Sequence, residues 1–288
     1  MKSFGNKLFQ AVLLLCVIAA GSGILRKAEG GAGNGGGERE MPASIIGGIV
    51  PHHDLALGMI GRFYDHLGSP DVRRVWLLSP DHFRRARTFA VLSPDDWRTP
   101  ERILRADREA CETLPSLSVA GADRVLFRRE HGITIHIPFI ARHFPNASVV
   151  PLVIGARTPD LALIILKNAV RDLLRDGDAV ILSMDLSHYK TPELMAAEDR
   201  KTLEVLANVR PAGTKTIDVD ARPAAALVLM LFRECGIEKG TVLEHTDSSS
   251  ILGRRVESGT SYAAILYGMA AGSGGEAPLA LLPLGRKR

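Results

Sequence analysis

Cysteine is scarce, with three in 288 residues. Cys16 lies inside an apolar N-terminal run, and Cys111 and Cys235 stand far apart. No C-x-x-C pair and no zinc-ribbon spacing occurs, which excludes a cysteine-built zinc module. A disulfide between Cys111 and Cys235 stays open, but two free buried thiols are the expected state. Cys235, before Gly236 at the end of an apolar helix, reads as packing. A clustered basic face is also lacking, despite a pI of about 9.1. Seven of the 36 basic residues (Lys2, Lys7, Arg26, Lys27, Arg286, Lys287 and Arg288) lie at the chain ends, leaving 29 against 32 acidic residues, a net of −3. A mildly acidic body argues against nucleic acid as a partner. There is no phosphate loop: Gly30 to Gly37 has no strand before it and no Lys-Ser/Thr after it. Internal repeats are absent too.

Hydrophobic residues make up 46% and charged residues 24%, ordinary values for a globular chain with ample length for a core. Residues 1–27 read as a signal peptide or a membrane anchor. Lys2 and Lys7 form a positive start, and Leu8 to Leu25 is uncharged and mostly apolar. Small residues at Ala19 to Gly23 suit cleavage; a run of about 18 residues is near the minimum for a span. Leu15 ahead of Cys16 argues against lipidation. The body is therefore expected outside the cytoplasm, exported or membrane-anchored. Residues 28–41 read as a glycine-rich linker, 42–270 as one folded domain and 271–288 as a flexible tail.

Within the body, strands and helices alternate, the pattern of a mixed, largely parallel sheet flanked by helices. Strands are expected at Ile45 to Val50, Val72 to Leu78, Thr88 to Leu92, Ser148 to Ile154, Ala179 to Met184, Thr241 to His245 and Ser261 to Tyr267. Helices are expected at Leu55 to Leu67, Glu101 to Leu114, Pro159 to Arg175, Thr191 to Leu206 and Ala224 to Glu234. Thr191-Pro192 supplies a cap followed by proline at the first helical position.

Ligand-type side chains follow apolar strands in several places: His52-His53-Asp54, Asp81-His82, Asp185-Leu186-Ser187-His188 and Glu244-His245-Thr246-Asp247, with Glu130-His131 as a further pair. Loops at the carboxyl ends of parallel strands converge in space, where such folds bind ligands. Imidazole is the commonest metal ligand and also an acid or base near neutral pH. Two His with a carboxylate suit iron with open positions; three His suit zinc. Plainer roles compete. A lone His after a strand usually caps or hydrogen-bonds, Asp185 can cap its turn, and Glu130 can pair with Arg128 or Arg129. His136 and His143, seven apart, read as a solvated helix face, and His66 as structural. His52 and His82 together, on two strand ends taken as neighbours, read as a metal pair.

With these residues in view, the chain resembles the Memo-like family, in particular the branch called AmmeMemoRadiSam system protein B. The matching pieces, in order, are Gly48-Ile49-Val50-Pro51-His52-His53, Leu78-Ser79-Pro80-Asp81-His82, and Glu130-His131-Gly132-Ile133 with Ile137-Pro138-Phe139. Then come Val150-Pro151-Leu152-Val153, Met184-Asp185-Leu186-Ser187-His188-Tyr189, Glu244-His245-Thr246-Asp247-Ser248 and Thr260-Ser261-Tyr262. The resemblance implies an α/β fold like that of class III extradiol dioxygenases, in which two His and a Glu hold ferrous iron. In animal Memo proteins a comparable pocket uses two His and a Cys and is linked to copper or iron redox chemistry.

Carried over, the family's metal-site histidines fall on His52 and His82, and its other polar pieces on Glu130, His131, Asp185 and His188. The animal Cys aligns near Ser249 to Gly253, with no thiol or carboxylate, so the third ligand is open among His131, Asp185, His188 and His53. Expectation therefore centres on a divalent metal, Fe(II) favoured with Cu or Zn as alternatives. His188 or His131 would act as acid/base and Asp185 would orient the imidazole. His53, Asp54, Asp81, Glu130 and His245 would line the pocket. The activity implied is dioxygenase-like redox chemistry on an unknown small molecule or peptide. A non-catalytic ligand-binding protein and a zinc hydrolase are the competing readings. The family name also implies a pathway shared with a radical-SAM protein and its co-occurring partner family.

Overall fold

The computed structural model describes residues 45–69 and 71–268. The N-terminal segment 1–27, Cys16, the linker 28–41 and the tail 271–288 lie outside the described residues. Among the described residues no helix is long and apolar enough to cross a membrane.

One nine-stranded sheet organises the chain, in the order β10-β11-β1-β8-β2-β7-β3-β6, with β9 attached to β11. Its centre is four parallel strands: β1 (Ile46–Val50), β8 (Asp178–Ser183), β2 (Arg74–Pro80) and β7 (Ser148–Ile154). Two strands flank it antiparallel, β11 (Gly259–Gly268) beside β1 and β3 (Ala90–Leu92) beside β7. Outside them lie β10 (Gly240–Asp247), β6 (Ala120–Ala122) and β9 (His188–Lys190), and a separate hairpin pairs β4 (Trp97–Arg98) with β5 (Ile103–Leu104). This is a mixed, largely parallel sheet flanked by helices.

Both faces of the central strands are covered, which is why they read as continuous apolar runs rather than alternating ones. Successive side chains point to opposite faces. Val75 and Leu77 join one core with Phe63 and Ile140, while Trp76 and Leu78 join the other with Leu166 and Leu227. The first face is packed by α1 (Leu57–Leu67) and α4 (Ile137–His143). The second carries α5 (Asp160–Leu173) and α7 (Arg222–Glu234). At the amino ends of β2 and β8, Arg74 donates from Nε and Nη2 to the Asp178 carboxylate, at 3.1 and 2.7 Å, and Trp76 Nε1 donates to it at 2.9 Å. All three groups are buried, so the charge is paired and hydrogen-bonded where it is taken from water.

Sequence patterning misplaces one element. The expected helix Glu101 to Leu114 is strand β5 followed by a parallel bridge from Ala106 to Val149; only α2 (Arg108–Thr113) is helical there. Asp107 resets the chain, its carboxylate accepting the Ala110 N–H as the helix cap. Its apolar residues Leu104 and Ala106 face core, and a window without glycine or proline gave no sign of the break. In α6 (Pro192–Ala207) proline opens the helix as expected, although the Thr191 side chain makes no cap bond.

Candidate metal centre

Because β1, β8, β2 and β7 are parallel, their carboxyl ends share one edge. Three of them release ligand-type residues there: Pro51-His52 from β1, Met184-Asp185 from β8, and Asp81-His82 from β2. The strands carrying His52 and His82 are not neighbours, contrary to expectation; β8 separates them, and the Asp185 that follows β8 reaches His52.

His52 is 2% exposed. Its backbone N–H donates to Asp185 Oδ1 at 3.0 Å, and its Nδ1 lies 2.9 Å from the Ser183 hydroxyl. His82 has Nδ1 at 2.5 Å from Glu130 Oε1, and its backbone N–H donates to Glu130 Oε2 at 3.2 Å. Glu130 is fully buried at the N-terminus of α3 (His131–Thr134), where it also accepts the Gly132 N–H. It orients a ring and caps a helix, so the alternative pairing with Arg128 or Arg129 is set aside. With both Nδ1 atoms engaged, the two Nε2 atoms face each other 3.0 Å apart.

Asp220 completes this convergence. Its Oδ2 stands 2.9 Å from His52 Nε2 and 3.6 Å from His82 Nε2, yet neither carboxylate oxygen has an aligned hydrogen-bond donor, and both are buried. Sequence reasoning missed this residue because no strand precedes it. It lies in the turn before α7, and the nearest signal was an Asp two positions ahead of Arg222-Pro223. Ligand atoms come within 4.8 Å of one another in two groups that share His52: His52, His82 and His131, and His52, Asp185 and Asp220.

The electrostatics follow from this crowding. Burial disfavours charge on His82, but the adjacent Asp220 and Glu130 carboxylates outweigh it and push its pKa up to about 9. On His52 burial is likewise overcome, by Asp185 and Asp220. Burial would raise Asp220, but His52, His82 and His188 hold it below the usual carboxylate range. Asp185 is raised, by burial above all and by the neighbouring Asp220 charge. His131, with its side chain 47% exposed, packs its ring against His82 at 3.9 Å between ring centroids, tilted by 37°. Its pKa falls to about 4, from burial and then from the charges of His82 and His52.

The other expected residues separate. His188 Nδ1 lies 2.9 Å from the Leu186 carbonyl, and its Nε2 is 3.8 Å from Asp185 Oδ2. Leu186 rather than Asp185 fixes that ring, and Asp185 spends Oδ1 on the His52 backbone. His53 is exposed, its Nδ1 accepting the Leu55 N–H as the cap of a short 3-10 turn, so it does not reach the centre; Asp54 is exposed in that turn. Asp81 accepts the N–H groups of Arg85 and Ala86 at 3.1 and 2.8 Å, holding its own loop. His245 lies within β10 rather than past its end, with Nε2 2.8 Å from Asp199, whose other oxygen accepts the Ser187 hydroxyl. It supports the loop before His188 from outside. His136 is fully buried, against the expectation of a solvated face shared with His143, which bonds Asp65 at 3.0 Å.

Fold and site together define an α/β protein with a histidine–carboxylate centre at the carboxyl edge of its parallel strands. A family model described as Memo-like protein matches residues 35–266, and the chain belongs to the Memo-like family. A MEMO1 family protein from Ignicoccus hospitalis is 29% identical over 238 residues, covering 77% of this chain and 82% of that protein. Another, from Caldivirga maquilingensis, is 26% identical over 242 residues, covering 80% and 85%. The solved structure of uncharacterized protein JW3007 from Escherichia coli K12 aligns with a TM-score of 0.48 at 13% identity, over 79% of this chain and 99% of that one.

Proposed function

We propose that His52, His82 and Asp220 hold one divalent metal ion, Fe(II) before Cu or Zn, and that the protein carries out metal-dependent redox chemistry of the dioxygenase type. The carrying observation is the set of separations, 3.0, 2.9 and 3.6 Å, between two imidazole nitrogens and one carboxylate oxygen. Ligand atoms at about 2.0–2.2 Å from an ion stand roughly 3.0–3.5 Å from each other. With Nδ1 of each ring turned to Ser183 or Glu130, the two Nε2 atoms and the Asp220 carboxylate converge on one point, where a proton or a metal ion would offset their mutual repulsion. Two His and one carboxylate with open positions suit non-haem iron.

A bound ion would supply Lewis acidity and, as iron or copper, a redox couple. The chain supplies the rest. Glu130 and Ser183 fix the two rings. His131, neutral at physiological pH and partly exposed, is placed to accept a proton from a substrate at the mouth. His188, held through Nδ1, offers Nε2 for the same task from the β8 side. Export or membrane anchoring through residues 1–27, and a shared pathway with a radical-SAM protein and its partner family, belong to this proposal on the strength of the sequence.

The alternative trio His52, His82 and His131 favours a second reading, zinc-dependent hydrolysis. Anaerobic reconstitution of the full-length chain with ferrous, zinc or copper ions, followed by metal counting, separates the two. About one ion per chain, lost in His52→Ala/His82→Ala and in Asp220→Ala but kept in His131→Ala, is the expected result. Metal lost with His131 but kept without Asp220 moves the assignment to zinc. Uptake of no metal leaves a ligand-binding pocket without catalysis.

A further inference from the structure

Beside the metal centre, on the same edge of the sheet, lies a cavity of about 580 Å³ between the loop after β2 and the loop after β7. Its size falls in the range of small-molecule sites, about 300–1,000 Å³. Three arginines line it, Arg84, Arg87 and Arg157, all of them exposed, together with Ser118, Thr158 and Asp81. Among the described residues no carboxylate lies within 4.0 Å of any of these three arginines, so their charge is open to a ligand. The single acid in the lining forms no ion pair with them; both Asp81 oxygens accept backbone N–H groups of the loop that carries Arg84 and Arg87, and three cations face one anion. Arg84 also sits at φ 53°, a left-handed conformation that costs a non-glycine residue energy and gathers at functional sites.

We propose that this cavity is an oxyanion subsite that seats a phosphate or carboxylate group of the substrate. Guanidinium groups match such oxyanions in shape as well as charge, through paired N–H donors. Placement argues for a role in substrate choice. Asp81 lines the cavity, and the next residue, His82, reaches the centre. A small molecule anchored by its anionic end between the arginines would extend toward His82. Only that link to chemistry rests on the metal reading; anion binding itself does not.

The test is calorimetric titration of the metal-free, full-length chain with inorganic phosphate, and with succinate as a second titrant. Wild type, Arg87→Gln/Arg157→Gln and His52→Ala are compared, with metal uptake counted in parallel. We expect saturable binding of at least one anion by wild type and by His52→Ala, weakened at least ten-fold in the arginine variant, whose metal uptake is unchanged. Which titrant binds tells phosphate from carboxylate. Absence of saturable binding, binding indifferent to the arginine substitutions, or binding lost in His52→Ala would overturn the proposal. Arginine-dependent anion binding in a chain that takes up no metal would keep the subsite and remove the metal reading alone.

Discussion

Glu130 grips His82 twice, Oε1 standing 2.5 Å from the ring Nδ1 and Oε2 accepting the backbone N–H at 3.2 Å. The carboxylate sets the tautomer, because a proton held on Nδ1 leaves Nε2 as the free lone pair. Partners of this kind typically contribute 10- to 100-fold to metal affinity. Glu130→Gln keeps an acceptor for the α3 cap but removes the charge, so it should weaken metal binding by about that factor. Chelator competition reads the affinity, and thermal melts of the metal-free variant should stay near wild type. An affinity unchanged in Glu130→Gln would mean that His82 is not a ligand.

On the proposed metal reading, protons and metal would compete for the same centre. In the metal-free chain His82 titrates at about 9, against about 6.5 when unfolded. A raised folded pKa stabilises fully below the unfolded value and is lost as pH rises through the folded one. Metal-free stability should thus fall between pH ~6.5 and ~9, by on the order of 3 kcal/mol at most from His82. A divalent ion displaces that proton, so the stabilisation it confers should grow over the same window. Paired melts with chelator and with metal, at the two ends of the window, check both signs.

Much of this architecture is visible in the chain as written. The four central strands are buried on both sides, so Val75-Trp76-Leu77-Leu78 and Val149 to Ile154 stand out without knowledge of their partners. The strand-end rule likewise picks out His52, His82 and Asp185, because parallel strands must deliver their loops to one edge. Asp220 escapes the rule since it enters from a helix start, and Glu130 is ambiguous beside two arginines until the fold sets it under His82. Tertiary pairing also overrides local pattern at Leu104 and Ala106, which lie in extended chain within a window that offers helical spacing from Ala106 through Ala110 to Leu114.

Two glycines hold β1 in place beneath this centre. A Cβ on Gly47 would lie 2.3 Å from Phe232 Cζ and 2.9 Å from the Val180 carbonyl; one on Gly48 would lie 2.2 Å from Phe63 Cζ. Each glycine lets a buried ring rest on the strand, one from each face. Overpacking of this kind costs about 1–3 kcal/mol. Gly47→Ala should cost more than Gly48→Ala. The backbone carbonyl it meets, Val180 at 2.9 Å, is closer than the Ile265 carbonyl at 3.2 Å from a Cβ on Gly48, and a carbonyl cannot swing aside as a ring can. Melting temperatures rank the two. Weaker metal binding in Gly47→Ala would report displacement of His52, five residues on.

His136 tests burial without partnership. Its ring is fully buried, neither nitrogen has a hydrogen-bond partner among the described residues, and the Tyr64 ring beside it, 5.8 Å away, carries an equally unpartnered hydroxyl. Burial, and then the charge on His52, push its pKa down to about 3. The native state therefore holds it neutral, while the unfolded chain takes up a proton below about pH 6.5. Its contribution is complete above that pH and is lost as the pH falls from 6.5 toward 3, about 2 kcal/mol of it by pH 5. His136→Leu keeps the approximate volume and removes the proton site. It should change stability at pH 7 by less than about 2 kcal/mol and flatten the decline between pH 6.5 and 5. An equally steep decline in the variant would show that His136 bonds a partner in its protonated form and is not held neutral by the core.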